Sequence, residues 1–209
     1  MNAKSLIFDI DGTLWDSRAL VAKGYNQYFR ANGLGHLQVT AEDLTKLFGK
    51  TMEQIADQIL AEIPVPERYG KMLACMETEQ QVMAADPCQI AYPGVVETLK
   101  VLAEGHRMFI VSNSERGYPD LLLDKLGVRD LFEGYLCYGD TRAPKGENIR
   151  VLMERYGITD AVYIGDTQGD LEACEYAGIP FVFCRYGFGQ PERFDAAIGT
   201  FGDLVEMLK

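Results

Sequence analysis

Histidine is nearly missing from this chain, with His36 and His106 the only two among 209 residues. A histidine-rich metal centre is therefore excluded, and each histidine reads as a surface or packing residue rather than a ligand. Cysteine is present but unpatterned: Cys75, Cys88, Cys137, Cys174 and Cys184 are odd in number and contain no CxxC pair. That excludes a disulfide frame or a cysteine zinc site and fits reduced, mostly buried thiols. Long apolar runs are missing as well. Near the N-terminus only Leu6 to Phe8 precede acidic residues, too few for a signal sequence, and no later stretch could span a bilayer. The expected location is cytoplasmic, with no membrane partner. Positive charge is also scarce, 20 Lys and Arg against 31 Asp and Glu for a net charge of -11. Nucleic acid and anionic membrane both demand a basic surface, so neither is the expected main partner. A small anionic substrate stays compatible, because a few cations inside a site suffice for it.

What is present is ordinary in bulk and ordered in detail. A hydrophobic content of 47% with 24% charged residues describes a soluble globular chain, long enough for a full core plus an insertion. Leu20, Val21, Tyr25, Tyr28 and Phe29 recur at helical spacing up to Gly33. Thr40 with Asp43 resembles a capped helix start, and Met52, Ile55, Ile59 and Leu60 continue the rhythm to Pro64. Glu67 to Ala85 is again helix-like. After Asp86-Pro87 the texture changes to short apolar runs alternating with helical stretches. Strands are expected at Met108–Val111, Tyr135–Tyr138, Ala161–Ile164, Phe181–Cys184 and Ala196–Ile198. Helices are expected between them and over Thr200–Leu208. Such alternation implies a doubly wound, Rossmann-like α/β parallel sheet covered on both faces. Ser5–Phe8 belongs to that sheet by character. The expected domains are an α/β core of residues 1–15 and 87–209 and an all-helical insertion of residues 16–86.

In open parallel sheets ligands bind beyond the carboxyl ends of the strands. After the first strand come Asp9 and Asp11, which share a face if the backbone stays extended. The rival reading is a hairpin, because Asp11-Gly12 is a turn signal. After Met108–Val111 come Ser112 and Asn113, and after Val162–Ile164 come Gly165, Asp166, Thr167 and Asp170. Singly, each has a plain explanation: a turn, an N-cap, a helpful charge in a first helical turn, or, for Lys145 after Pro144, a solvated lysine. Jointly they place Asp9, Asp11, Asp166 and Asp170, a hydroxyl and a lysine around one crevice. That set suits phosphoryl transfer to a carboxylate. A hard cation offsets the repulsion between anions, a second acid handles the proton, and hydroxyl and ammonium groups hold the phosphoryl oxygens.

With these four motifs in order, Asp9-x-Asp11-Gly12-Thr13, Ser112-Asn113, Lys145 and Gly165-Asp166-x-x-x-Asp170, the sequence resembles the haloacid dehalogenase-like superfamily of phosphohydrolases. The likeness extends to Leu14-Trp15-Asp16-Ser17, Tyr92-Pro93-Gly94-Val95 and Tyr186-Gly187-Phe188-Gly189. The insertion directly after the first motif is like the phosphoglycolate phosphatase and β-phosphoglucomutase branch. The resemblance implies a Mg²⁺-dependent phosphatase acting on a small phosphorylated metabolite. In it Asp9 is the nucleophile that becomes an aspartyl-phosphate, and Asp11 is the general acid and base. It further implies phosphoryl binding by Ser112, Asn113 and Lys145, and metal binding by Asp9, Asp166 and the Asp11 backbone carbonyl. Asp170 then supports the metal ligands from behind or binds the metal through water, and the insertion is a mobile cap. Trp15 beside the nucleophile and Lys50 between two insertion helices are candidates for substrate binding, with a solvated lysine the plain reading of Lys50. A phosphomutase shares all four motifs, but its branch carries a cap histidine where this chain has Leu20-Val21-Ala22. Dehalogenases generally lack the second aspartate, present here as Asp11. A non-catalytic binding or regulatory protein on the same fold would have lost one of the motif residues, and none is lost. Nothing in the sequence separates a monomer from a homodimer.

Overall fold

The structure, a computed structural model, describes residues 3–209. Six strands, β1 (Ser5–Phe8), β2 (Arg107–Ser112), β3 (Gly134–Cys137), β4 (Ala161–Gly165), β5 (Phe181–Cys184) and β6 (Ala196–Ile198), form one parallel sheet. Its order is β3-β2-β1-β4-β5-β6. The central β1 is buried at all four residues, as its unbroken apolar run requires of a parallel strand covered on both faces. The Asp11-Gly12 turn signal does bend the chain, but it makes no hairpin, because both neighbours of β1 run parallel to it.

Helices α1 (Arg18–Ala31), α2 (Ala41–Thr45), α3 (Met52–Ile59) and α4 (Val65–Ala85) lie between β1 and β2, followed by α5 (Val95–Leu102). Then come α6 (Tyr118–Leu126), α7 (Tyr138–Thr141), α8 (Lys145–Tyr156), α9 (Gln168–Ala177) and α10 (Leu204–Met207). On one face of the sheet Ile7, Phe109, Val111, Tyr163 and Phe181 pack with Ile149 and Leu152 of α8 and Leu171 and Cys174 of α9. On the other, Phe8 meets Phe132 and Phe201 at ring-centroid distances of 6.0 and 5.9 Å. This two-residue alternation has a consequence beyond packing. Asp9 shares the parity of Ile7 and so leaves the sheet on the side of α8 and α9.

Two local features depart from expectation. α7 is a single turn, too short for any periodicity to announce, and is capped by Asp140, which accepts the Cys137 N–H at 3.3 Å. The expected last helix begins as a 3₁₀ turn over Phe201–Asp203, because Asp203 turns back to accept the N–H groups of Gly199 and Thr200.

The chain divides into two compact units. One comprises the chain up to Asp16 with Ile90–Lys209, and the other is Ser17–Gln89. These limits lie slightly beyond 15 and 86 because two linkers pair with each other. Asp16 N–H donates to Ile90 C=O at 2.8 Å and Tyr92 N–H to Leu14 C=O at 3.1 Å. The second unit is all helical. Arg18 Nη1 donates to Thr45 Oγ1 at 2.7 Å, and Asn26 bonds both backbone groups of Val39, at 2.7 and 2.9 Å, pinning the chain after α1. α1 and α4 pack so closely at Gly24 that a Cβ there would lie 2.5 Å from the Cα of Glu79.

Gly24→Ala weighs two opposed effects. Alanine favours a helix by about 1 kcal/mol over glycine, whereas overpacking against backbone costs about 1–3 kcal/mol. Because the obstructing atom is backbone Cα, the overlap is expected to win. The variant should unfold at lower denaturant and show faster amide exchange in α1 and α4. Unchanged or raised stability would show that the two helices separate freely.

Candidate active site

The carboxyl ends of the three central strands carry the polar residues. The Asp9 N–H still bonds Ile164 C=O at 2.9 Å, so the nucleophile candidate is fixed by the sheet ladder itself. Its carboxylate meets Lys145, with Nζ 3.0 Å from Oδ1, and the same ammonium lies 2.6 Å from Asp170 Oδ1. All three side chains are at most 5% exposed. Lys145 is the first residue of α8, where the helix dipole disfavours a cation, so the two carboxylates are what hold its charge there. The reading of Lys145 as a solvated turn lysine therefore fails.

Asp170 is fastened from its other oxygen. Oδ2 accepts the backbone N–H of Asp166 at 3.1 Å, the N–H of Thr167 at 2.9 Å and the Thr167 hydroxyl at 2.7 Å. Thr167 and Asp170 form the capping box of α9, so one residue both starts a helix and faces the lysine. Asp166 is fully buried, and its Oδ2 accepts the Phe188 N–H at 2.6 Å. Glycines stand where side chains would collide with it. A Cβ on Gly12, at φ +82°, would fall 2.2 Å from Asp166 Oδ2, and one on Gly187 would fall 2.3 Å from Asp166 Cβ.

Asp9, Asp166 and Asp170 each offer a carboxylate oxygen within 4.8 Å of the others. Burial pushes the Asp9 carboxyl up to about 7, with Lys145 opposing and Asp170 adding to the rise. Burial, with Asp170 and Asp9 as neighbours, raises Asp166 well above the carboxylate range. Burial acts upward on Asp170 too, but Lys145 and Thr167 outweigh it and hold that carboxyl low. Burial likewise opposes the charge on Lys145, yet Asp170 and Asp9 raise its affinity for the proton above the ordinary lysine value. Three carboxylates against one ammonium leave the cluster short of positive charge. A hard divalent cation with oxygen ligands fits that deficit.

Ser112 is buried at the end of β2, and its Oγ accepts the Ser114 N–H at 3.2 Å in a local turn. Asn113 follows it, partly buried. Asp11 does not share the Asp9 cluster as an extended strand would have it. β1 ends at Phe8, the N–H groups of Thr13 and Leu14 fold back onto Ile10 C=O, and the Asp11 carboxylate turns to Trp15 and Tyr118. Trp15 is fully buried and bonds Asp11, which removes it from any exposed entrance. Lys50 belongs to the second unit, on the turn before α3, where its N–H bonds Leu47 C=O at 3.1 Å.

Sequence reasoning passed over Glu115, Tyr118 and Arg142, and met Phe188 only within the Tyr186–Gly189 stretch. Glu115 is buried and pairs with Arg142 at 2.6 Å, tying the segment after Ser112 to the one before Lys145. Arg142 is the one non-glycine residue at positive φ, 59°, among the described residues. No spacing rule signals a pair 27 residues apart, and Phe188 acts through its backbone, where side-chain identity carries no signal.

The family model described as haloacid dehalogenase-like hydrolase matches residues 6–184. Phosphoglycolate phosphatase of Agrobacterium fabrum is 29% identical over 195 residues, covering 87% of this chain and 80% of the relative. That of Rhodobacter capsulatus is 28% identical over 197 residues, covering 89% and 86%. The crystal structure of a predicted phosphoglycolate phosphatase from Haemophilus somnus superposes with a TM-score of 0.82 at 22% identity, over 100% of this chain and 99% of that one. The chain belongs to the haloacid dehalogenase-like hydrolase family.

Two glycine substitutions separate backbone strain from the cradle around Asp166. Gly94 also has positive φ, 78°, but a Cβ there meets nothing within 4 Å. Gly94→Ala should therefore cost only the left-handed penalty of about 1–2 kcal/mol. Gly12→Ala adds an overlap and should cost about 2–5 kcal/mol. Equal denaturant midpoints for the two variants would show that Asp166 yields without cost.

Proposed function

We propose that this member of the haloacid dehalogenase-like hydrolases is a Mg²⁺-dependent phosphatase of a small phosphorylated metabolite, with phosphoglycolate the first substrate to test. The observation that carries this reading is the buried Lys145 ammonium held between Asp9 and Asp170 at the strand ends, with Asp166 beside them. The relatives' names supply the substrate, since both curated relatives cited above are phosphoglycolate phosphatases.

Asp9 is the proposed nucleophile, because its backbone is locked into the sheet and its carboxylate is oriented by Lys145. An Asp9 oxygen forms a bond to phosphorus as the bond to the leaving oxygen breaks, and Asp11 gives that oxygen a proton. Asp11 then takes a proton from water as the water oxygen bonds to phosphorus and the aspartyl-phosphate bond breaks. Ser112, Asn113 and Lys145 hold the non-bridging oxygens. Asp9, Asp166 and the Asp11 carbonyl are the proposed Mg²⁺ ligands, with Asp170 supporting Asp166 and Lys145 from behind. The bound cation would neutralise phosphoryl charge and let two anions approach each other. In the same reading the helical unit Ser17–Gln89 is the cap that selects substrates, and Lys50 is a candidate for a second anionic group such as the glycolate carboxylate.

Phosphate release from phosphoglycolate is expected to require Mg²⁺ and to fall about 10³-fold or more in Asp9→Asn. Equal rates in wild type and variant, or turnover undiminished by chelation, would overturn the reading. A mutase would instead interconvert sugar phosphates with little free phosphate.

Stability supplies a second check. Asp9, raised to about 7 in the metal-free fold, retains a proton that the unfolded chain releases in the ordinary carboxylate range. Its favourable contribution is full below that ordinary range and is lost as pH rises toward 7. A divalent cation replaces the proton. Mg²⁺ should therefore raise the melting temperature more at about pH 8 than at about pH 5. An equal shift at both would remove the carboxylates from the binding site.

A further inference from the structure

Two aromatic donors converge on one oxygen of Asp11. Trp15 Nε1–H donates to Oδ1 at 2.9 Å, and the Tyr118 hydroxyl donates to the same Oδ1 at 2.8 Å. The two rings meet edge to face, with centroids 5.7 Å apart and planes at 79°. Trp15 is 0% and Tyr118 5% exposed, so both donors are packed in place beside a half-buried Asp11, and neither ring can swing without unpacking.

The donors reach Asp11 from separate, independently fixed segments. Trp15 stands four residues downstream, where its backbone bridges to both Asp11 and Ala91. Tyr118 opens α6 directly after Gly117, whose left-handed φ of 88° turns the chain out of the Ser112 segment. Packing alone asks for neither polar atom, since phenylalanine fills an apolar space as well and carries no group to desolvate. An indole N–H and a phenol aimed at one carboxylate oxygen fix the torsion of that carboxyl group. Fixing it matters for a group that must deliver a proton within hydrogen-bond reach of a reacting atom.

We propose, resting on the reading of Asp11 as general acid and base, that Trp15 and Tyr118 are positioning residues that aim the Asp11 carboxyl at the leaving oxygen. As the Asp9–phosphorus bond forms and the phosphorus–oxygen bond to the leaving group breaks, the proton of the Asp11 carboxylic acid passes to the departing oxygen. Asp11 is left as a carboxylate and recovers a proton from the attacking water in the second half-reaction. Losing either donor leaves the chemistry available but the acid poorly aimed.

Leaving-group dependence separates aiming from mere structural support. An alkoxide departs only if protonated, whereas dinitrophenolate departs without a proton. The value of kcat/KM covers the steps up to that departure. The measurement is the ratio of kcat/KM for phosphoglycolate to that for 2,4-dinitrophenyl phosphate, in wild type, Tyr118→Phe, Trp15→Phe and Asp11→Asn. In Asp11→Asn the ratio should fall about 10²- to 10⁴-fold. In Tyr118→Phe, which keeps the ring and its packing, it should fall about tenfold, with a comparable fall in Trp15→Phe. If Asp11→Asn lowers the ratio while Tyr118→Phe lowers both substrates in parallel, the pair is structural and the inference fails with Asp11 still the acid. If Asp11→Asn itself leaves the ratio unchanged, the acid role of Asp11 fails and the positioning role falls with it. Should Trp15→Phe not fold, Tyr118→Phe alone decides the outcome.

Discussion

One ammonium group shared by two buried carboxylates is the constraint to which the rest of the site answers. Lys145 is almost wholly removed from water, which would ordinarily drive off its proton, yet Asp9 and Asp170 keep it charged. Removing a member of such a triad strands the others in a medium that cannot solvate them. The surroundings are organised to prevent that. The sheet ladder immobilises Asp9, and the capping box of α9 satisfies the second oxygen of Asp170. The pair Glu115–Arg142 braces the segment leading to Lys145.

Around Asp166 the same end is reached by subtraction. Gly12 and Gly187 withhold side chains where any Cβ would overlap the carboxylate, and the Phe188 amide uses the space so gained to donate a hydrogen bond. The motif glycines and the Tyr186–Gly189 loop are thus one device seen from two sides. Close approach of backbone to a buried anion is what permits a hydrogen bond without a polar side chain.

Much of the fold was legible because its strands are short, apolar and separated by helices of ordinary length. α6 begins at Tyr118 and stops at Gly127, whose left-handed φ of 64° closes it, and β5 is Phe181–Cys184 as its run of apolar residues indicates. The four-residue α7 was not legible, because one turn has no period. At the site, strand ends located Asp9, Ser112 and Asp166, since a parallel sheet brings its carboxyl ends together. Contacts made across the fold were beyond reach. Nothing about Trp15 in sequence shows that it turns inward to Asp11, because its direction is set by the turn after β1 and by Tyr118, 107 residues from Asp11. Lys145 illustrates the converse: isolated, it has the composition of a surface turn, and only the convergence of two carboxylates makes burial tolerable.

The strand order β3-β2-β1-β4-β5-β6 also governs when the site can exist. During synthesis β1 emerges first, yet its partners are β2 and β4, and β4 ends only at Gly165. Asp9 thus leaves the ribosome long before Lys145, Asp170 and the Phe188 amide that complete its environment. A nascent chain therefore carries Asp9 before the counter-charge of Lys145 exists. Any nonsense or frameshift product ending before that last loop lacks the clamp on Asp166 however much of the sheet it retains. Assembly of the site is in this way tied to chain completion by the topology of the sheet.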